Sequence, residues 1–134
     1  MAVAQERPRV LVVEDDGTVR ALLALVLEDG GWRVLESDHA LEPTDISQLR
    51  PGVVVLDLGL GAGGDGMSML EAIRSTPGAR ELPVVVCTAE HGRARDGASR
   101  LRDLGASVLL KPFDVGDLLR AVNFHRAPES QSST

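Results

Sequence analysis

The sequence predicts an α/β domain built on a parallel sheet, and three observations carry that expectation. Short runs of β-branched and aliphatic residues alternate with stretches whose apolar residues recur at helical spacing. The runs are apolar at successive positions, as strands buried between two helical layers must be. Two of them end in carboxylates: Val10-Leu11-Val12-Val13 leads into Glu14-Asp15, and Val53-Val54-Val55-Leu56 leads into Asp57.

Taken in order, Val10 to Val13 form the first strand. Val19, Leu22, Leu23, Val26 and Leu27 then repeat at helical spacing, with Thr18 as a candidate N-cap and Gly30 as a stop. Asp16 is a second candidate cap for the same helix. Trp32 to Leu35 read as the second strand. Leu41 to Leu49 hold a brief helical signal around Ile46 and Leu49, after Pro43. Val53 to Leu56 are the third strand, followed by a glycine-rich loop from Gly59 to Gly66 and a helix marked by Met67, Leu70 and Ile73. Pro83 leads into the fourth strand, Val84 to Cys87. Ala94, Ala98, Leu101 and Leu104 mark the next helix, and Ser107 to Leu110 the fifth strand. Val115, Leu118, Leu119 and Val122 mark the last helix, with Asp114 as its cap.

Strands alternating with helices imply right-handed βαβ crossovers. Five strands fit a flavodoxin-like, doubly wound parallel sheet of order 2-1-3-4-5 with helices on both faces. In that order the first and third strands are neighbours. Glu14, Asp15 and Asp57 then meet at the topological switch point, where such sheets bind ligands. Residues 1–8 read as an N-terminal extension, 9–125 as one domain and 126–134 as a flexible tail.

Composition narrows the function. The chain has 134 residues, 43% apolar with 2% aromatic, so its core is aliphatic and it fits one domain. A net charge of −6 argues against direct nucleic-acid contact, which needs clustered Lys and Arg. A single cysteine, Cys87, excludes an internal disulfide and fits a reducing cytoplasm. No apolar stretch approaches the ~20 residues that span a bilayer, so no membrane role is expected.

Further residues fall at strand ends: Thr88 after the fourth strand, and Lys111 after the fifth, before Pro112. A parallel sheet delivers them to the edge that carries the acids. The set is a carboxylate nucleophile, two metal-binding acids, a hydroxyl and an ammonium. It suits phosphoryl transfer to Asp57: Mg²⁺ neutralises the acids, Lys111 supplies a point charge to the phosphoryl oxygens and Thr88 donates a hydrogen bond to one of them. Singly, each residue has a plainer reading. Asp57 caps a turn, Glu14 to Asp16 form a solvated turn, Lys111 is a surface lysine and Thr88 a β-favouring residue. Trp32 reads as packing and Cys87 as a small buried hydrophobe.

Val12-Val13-Glu14-Asp15-Asp16, Val55-Leu56-Asp57-Leu58, Thr88-Ala89 and Lys111-Pro112-Phe113 resemble the motifs of response-regulator receiver domains (CheY-like) of two-component signalling, over roughly Arg9 to Phe124. The resemblance implies that Asp57 accepts a phosphoryl group from a sensor histidine kinase or a histidine phosphotransfer protein. It implies a Mg²⁺ site made by Glu14, Asp15, Asp57 and the backbone carbonyl of Gly59. It makes Thr88 the switch hydroxyl and Lys111 the phosphoryl contact, and implies a cis peptide at Lys111-Pro112. The expected output is a downstream protein or an output domain outside this chain. Mg²⁺-dependent self-phosphorylation and slow autodephosphorylation are expected, rather than conventional turnover.

The chain departs from the family in places. Gly61 stands where a Pro is usual, Asp65-Gly66 fall one residue late, and Gly61 to Gly64 read as a looser loop. Val108 stands where a Tyr or Phe swings inward, so that rotation is not available here. Glu90 lies where the family tunes phosphate hydrolysis. Two other classes of function compete. A phosphatase with an aspartyl nucleophile needs a second Asp two residues on, where this chain has Gly59. A degenerate receiver would dock partners without taking phosphate.

Overall fold

Strand β1 (Arg9–Val13) sits inside a five-stranded parallel sheet whose strands, numbered in chain order, lie in the order 2-1-3-4-5, as the sequence predicts. A computed structural model describes residues 7–60, 65–88 and 98–126. The expected loop Gly61 to Gly64, with Glu90, Ala94, most of the N-terminal extension and the tail after Arg126, lies outside those residues. The remaining strands are β2 (Arg33–Ser37), β3 (Val53–Leu56), β4 (Val84–Thr88) and β5 (Ser107–Leu110). Helices α1 (Gly17–Asp29), α2 (Pro43–Leu49), α3 (Gly66–Ser75), α4 (Ala98–Asp103) and α5 (Val115–Asn123) connect or follow them.

The side-chain alternation of the strands divides the core into two layers. Leu11 and Val13, Val54 and Leu56, and Val84 and Val86 pack with Ile46 of α2, with Met69, Leu70 and Ile73 of α3, and with Leu101 of α4. Val10 and Val12, Val53 and Val55, and Val85 and Cys87 pack with Leu23 and Leu27 of α1 and with Leu118 and Val122 of α5. The central strands therefore have no solvent face, which is why they read as unbroken apolar runs.

Local chemistry sets most element ends. Asp16, not Thr18, caps α1: its Oδ1 accepts from the amides of Thr18 (2.9 Å) and Val19 (3.0 Å), and the helix starts at Gly17. Thr18 is thus a capped residue rather than the cap. Gly30 ends α1, and the left-handed φ of 98° that turns the chain falls on Gly31. Asp114 caps α5 through the Asp117 amide at 2.8 Å. Strand β2 begins one residue later than the sequence predicts. Trp32 turns its buried indole under α5 and donates to Asn123 Oδ1 at 2.9 Å, while Glu36 and Ser37 extend the strand beside β1. That extension was hidden because an edge strand needs no apolar run. Thr88 closes β4 rather than following it.

Two expectations follow for stability and reactivity. Replacing Ile73, which is fully buried, by Ala should cost about 2–5 kcal/mol, whereas Leu22→Ala at a position 59% exposed should cost about 0.5 kcal/mol or less; urea unfolding of both variants checks this. Burial pushes the Cys87 thiol up to about 12, above its ordinary range. The native protein at pH 8 should therefore resist alkylation by iodoacetamide, and the same thiol should react readily once the chain is unfolded in urea.

Candidate functional site: an acidic edge facing one lysine

Register brings the acids together. Val13 pairs with Leu56 across β1 and β3, so the next residues, Glu14 and Asp57, leave the sheet side by side. The Asp57 amide donates to the Val13 carbonyl at 3.1 Å and extends that ladder by one bond. Glu14 is 2% exposed and Asp57 9% exposed, so both carboxylates sit where water solvates them poorly. Asp15, the next residue, is exposed. One carboxylate oxygen from each of Glu14, Asp15 and Asp57 lies within 4.8 Å of the others.

Lys111 enters from the far side. Leu110 pairs with Thr88 across β4 and β5, and the Lys111 amide donates to the Thr88 carbonyl at 2.8 Å. This backbone bond ties the lysine to the end of β4. Lys111 Nζ donates to Glu14 Oε1 at 3.0 Å and stands 4.0 Å from Asp57 Oδ2. Thr88 is fully buried. The peptide bond between Lys111 and Pro112 is cis, as the motif resemblance implies.

The acids are held individually as well. Glu14 Oε2 accepts from the Asp16 amide at 3.2 Å, so both of its oxygens meet donors. Asp57 Oδ1 accepts from the Gly59 amide at 3.0 Å, which directs Oδ2 toward Lys111. Burial raises the Glu14 carboxyl above the ordinary glutamate range; the Lys111 hydrogen bond pulls it down, and Asp57 pushes it up again. Burial opposes the Lys111 ammonium, but the Glu14 hydrogen bond and the charges of Asp57 and Glu14 outweigh it and raise the lysine above its ordinary value. Three carboxylates facing one ammonium leave net negative charge in a small, partly desolvated space. A hard cation relieves that repulsion, and a set of carboxylate oxygens suits Mg²⁺.

The structure thus brings Glu14, Asp15, Asp57 and Lys111 to one place and sets Thr88 at the adjoining strand end. Gly59 follows Asp57 and meets it through its amide. Sequence reasoning missed two residues nearby. Arg20, in the first turns of α1, donates through Nη1 to the Glu14 carbonyl at 2.9 Å and pairs through Nε with Glu36 at 3.4 Å. Gly66 starts α3 against the backbone of Asp57 and Leu58. The Asp65-Gly66 pair was the available signal for the second; nothing in the sequence marked Arg20.

The comparisons with known proteins agree with this arrangement. The sequence model of the response regulator receiver domain matches residues 10–123. The transcriptional regulatory protein PdtaR of Mycobacterium tuberculosis is 34% identical over 117 residues, covering 85% of this chain and 54% of PdtaR. The chain therefore spans about half the length of the curated relatives it matches. The non-phosphorylated receiver domain of HemR from Leptospira biflexa is 30% identical with a TM-score of 0.72, covering 89% of this chain and 94% of that one. A receiver domain of a sensor histidine kinase from Pseudomonas aeruginosa, with a magnesium ion coordinated in its active-site cleft, gives a TM-score of 0.75 over 89% of this chain and 97% of its own. At 24% identity this is a likeness of fold. With the predicted sheet order, the acids at its switch point and a family match spanning nearly the whole chain, the protein belongs to the receiver-domain family of two-component response regulators.

Proposed function

We propose that this receiver takes a phosphoryl group onto Asp57 from the phosphohistidine of a sensor histidine kinase or phosphotransfer protein, and that the new charge alters its affinity for a downstream protein or an attached output domain. The observation that carries the reading is the placement of Lys111 Nζ 4.0 Å from Asp57 Oδ2, opposite clustered carboxylates. In the transfer, the bond between phosphorus and the donor nitrogen breaks and a bond from phosphorus to Asp57 Oδ2 forms. The donor imidazole, protonated on its other ring nitrogen, takes the electron pair of the broken bond and leaves as neutral histidine. The Gly59 amide holds Oδ1 during this step, so the carboxylate stays oriented. Lys111 then moves from Glu14 toward the phosphoryl oxygens, exchanging one anionic partner for another. Glu14, Asp15, Asp57 and the Gly59 carbonyl are the groups that would hold Mg²⁺. Bound Mg²⁺ neutralises the carboxylates and stabilises the charge of the transferring group.

Thr88, fully buried at the end of β4, supplies the hydroxyl that would respond to the phosphate. The outer step must differ from the usual one, because Val108 on β5 is 40% exposed and has no ring to bury. That exposure is the observation that favours the competing reading, a docking module indifferent to phosphate.

Incubation with acetyl phosphate and Mg²⁺ separates the two. The intact protein should gain the mass of one phosphoryl group, and Asp57→Asn should not; an equal gain in both, or none in the wild type, would sink the acceptor reading. Lys111→Ala should remain folded and take up phosphate about tenfold or more slowly, as expected when a group stabilising transferring charge is removed. An uptake rate equal to wild type would show that Lys111 does not serve the transfer.

A further inference from the structure

We infer that Gly66 is a positioning residue for Asp57: its bare Cα lets the first turn of α3 lie directly on the backbone that carries the acceptor carboxylate. The inference rests on the reading of Asp57 as the phospho-acceptor. A β-carbon built on Gly66 would stand 2.5 Å from the Asp57 carbonyl oxygen, 2.7 Å from Leu58 Cα and 3.2 Å from the Leu58 carbonyl carbon. All are backbone atoms, so none can rotate away. Unlike Gly31, Gly78 and Gly105, Gly66 does not have a positive φ. An alanine there is conformationally allowed, and the demand for glycine comes from contact alone.

Both sides of the contact are anchored. On α3, Met69, Leu70 and Ile73 are 3%, 0% and 0% exposed and lock the helix into the core. Asp65 seats the first turn, its Oδ1 accepting from the Met67 amide at 3.0 Å and its Oδ2 from the Ser68 hydroxyl at 3.1 Å. On the other side Leu58 is buried, and the Asp57 amide is bonded to the Val13 carbonyl. A methyl group at 66 must therefore displace the Asp57–Leu58 peptide or lift the helix that supports it. Either movement reaches the Gly59 amide, which holds Asp57 Oδ1 at 3.0 Å, and with it the facing of Oδ2 toward Lys111. A small misplacement is enough, since an error of about 1 Å in a reacting group can cost about a hundredfold in rate.

The test compares Gly66→Ala with Gly30→Ala. A β-carbon at Gly30 would also crowd a neighbour, Leu119 Cδ2 at 2.7 Å, but that atom ends a side chain. Gly30 lies at the opposite end of α1 from the acids, about 20 Å along the helix. Uptake from acetyl phosphate is followed by mass spectrometry, stability by thermal melting, and the Gly59 amide by NMR without metal. We expect Gly66→Ala to be phosphorylated about tenfold or more slowly with a shifted Gly59 resonance, and Gly30→Ala to stay within about twofold of wild type with that resonance unmoved. Wild-type uptake by Gly66→Ala, or slowing of both variants in proportion to their loss of stability, would overturn the inference. A wild-type chain that takes no phosphate sinks the acceptor reading instead, and the Gly59 resonance still decides the positioning claim. Should Gly66→Ala fail to fold, Asp65→Ala carries the test, because it loosens the same turn without touching the core. Slowed uptake at near-normal melting temperature supports the inference, and unchanged uptake overturns it.

Discussion

Carboxylates at the end of a buried strand repel one another and are poorly solvated, and the arrangement of this protein's acidic sheet edge answers that constraint. Glu14 and Asp57 are forced into proximity by the register of β1 against β3, a register fixed by which residues face which apolar layer. One-residue slippage would turn Val13 and Leu56 out of their layer, so the core in effect enforces the crowding. Lys111 offsets part of the charge through a 3.0 Å bond to Glu14, and helix α1 adds the Asp16 amide and Arg20. The remaining negative charge is what a cation and a transferred phosphoryl group would act upon.

The same logic ties fold to site on the other side of the sheet. Lys111 is held to the end of β4 by the bond from its amide to the Thr88 carbonyl. Asp57 is supported from below by α3 through a contact only glycine permits. The site is therefore built less from its own side chains than from three backbone junctions: β1 with β3, β4 with β5, and β3 with α3. The outer face of β5 carries Val108 and Leu110, 40% and 43% exposed, and the strand holds no aromatic residue.

The central strands and the acids were legible because both signals are local: an unbroken apolar run has few meanings in an α/β chain, and a charge at its end marks the sheet edge. The cap of α1 was ambiguous between Thr18 and Asp16, since both lie just before the apolar period and only geometry shows whose oxygen receives the amides. The start of β2 was misplaced because Trp32 looks like a strand residue until α5, some ninety positions later, supplies Asn123 as its partner. Arg20 and Gly66 stayed hidden for the same reason. Their roles are contacts with backbone from distant or folded-back segments, and no periodicity encodes a carbonyl.

Charge crowding at the strand edge is the central constraint, and the thermal stability of wild type and Asp57→Asn with and without Mg²⁺ tests it most directly. Removing one of the clustered carboxylates should raise the melting temperature in metal-free buffer, because repulsion falls while the backbone bonds remain. Mg²⁺ should stabilise the wild type, by about 2.7 kcal/mol at a hundred times its dissociation constant, and should stabilise the variant far less. A wild-type melting temperature unmoved by Mg²⁺, together with an Asp57→Asn variant less stable than wild type, would contradict it.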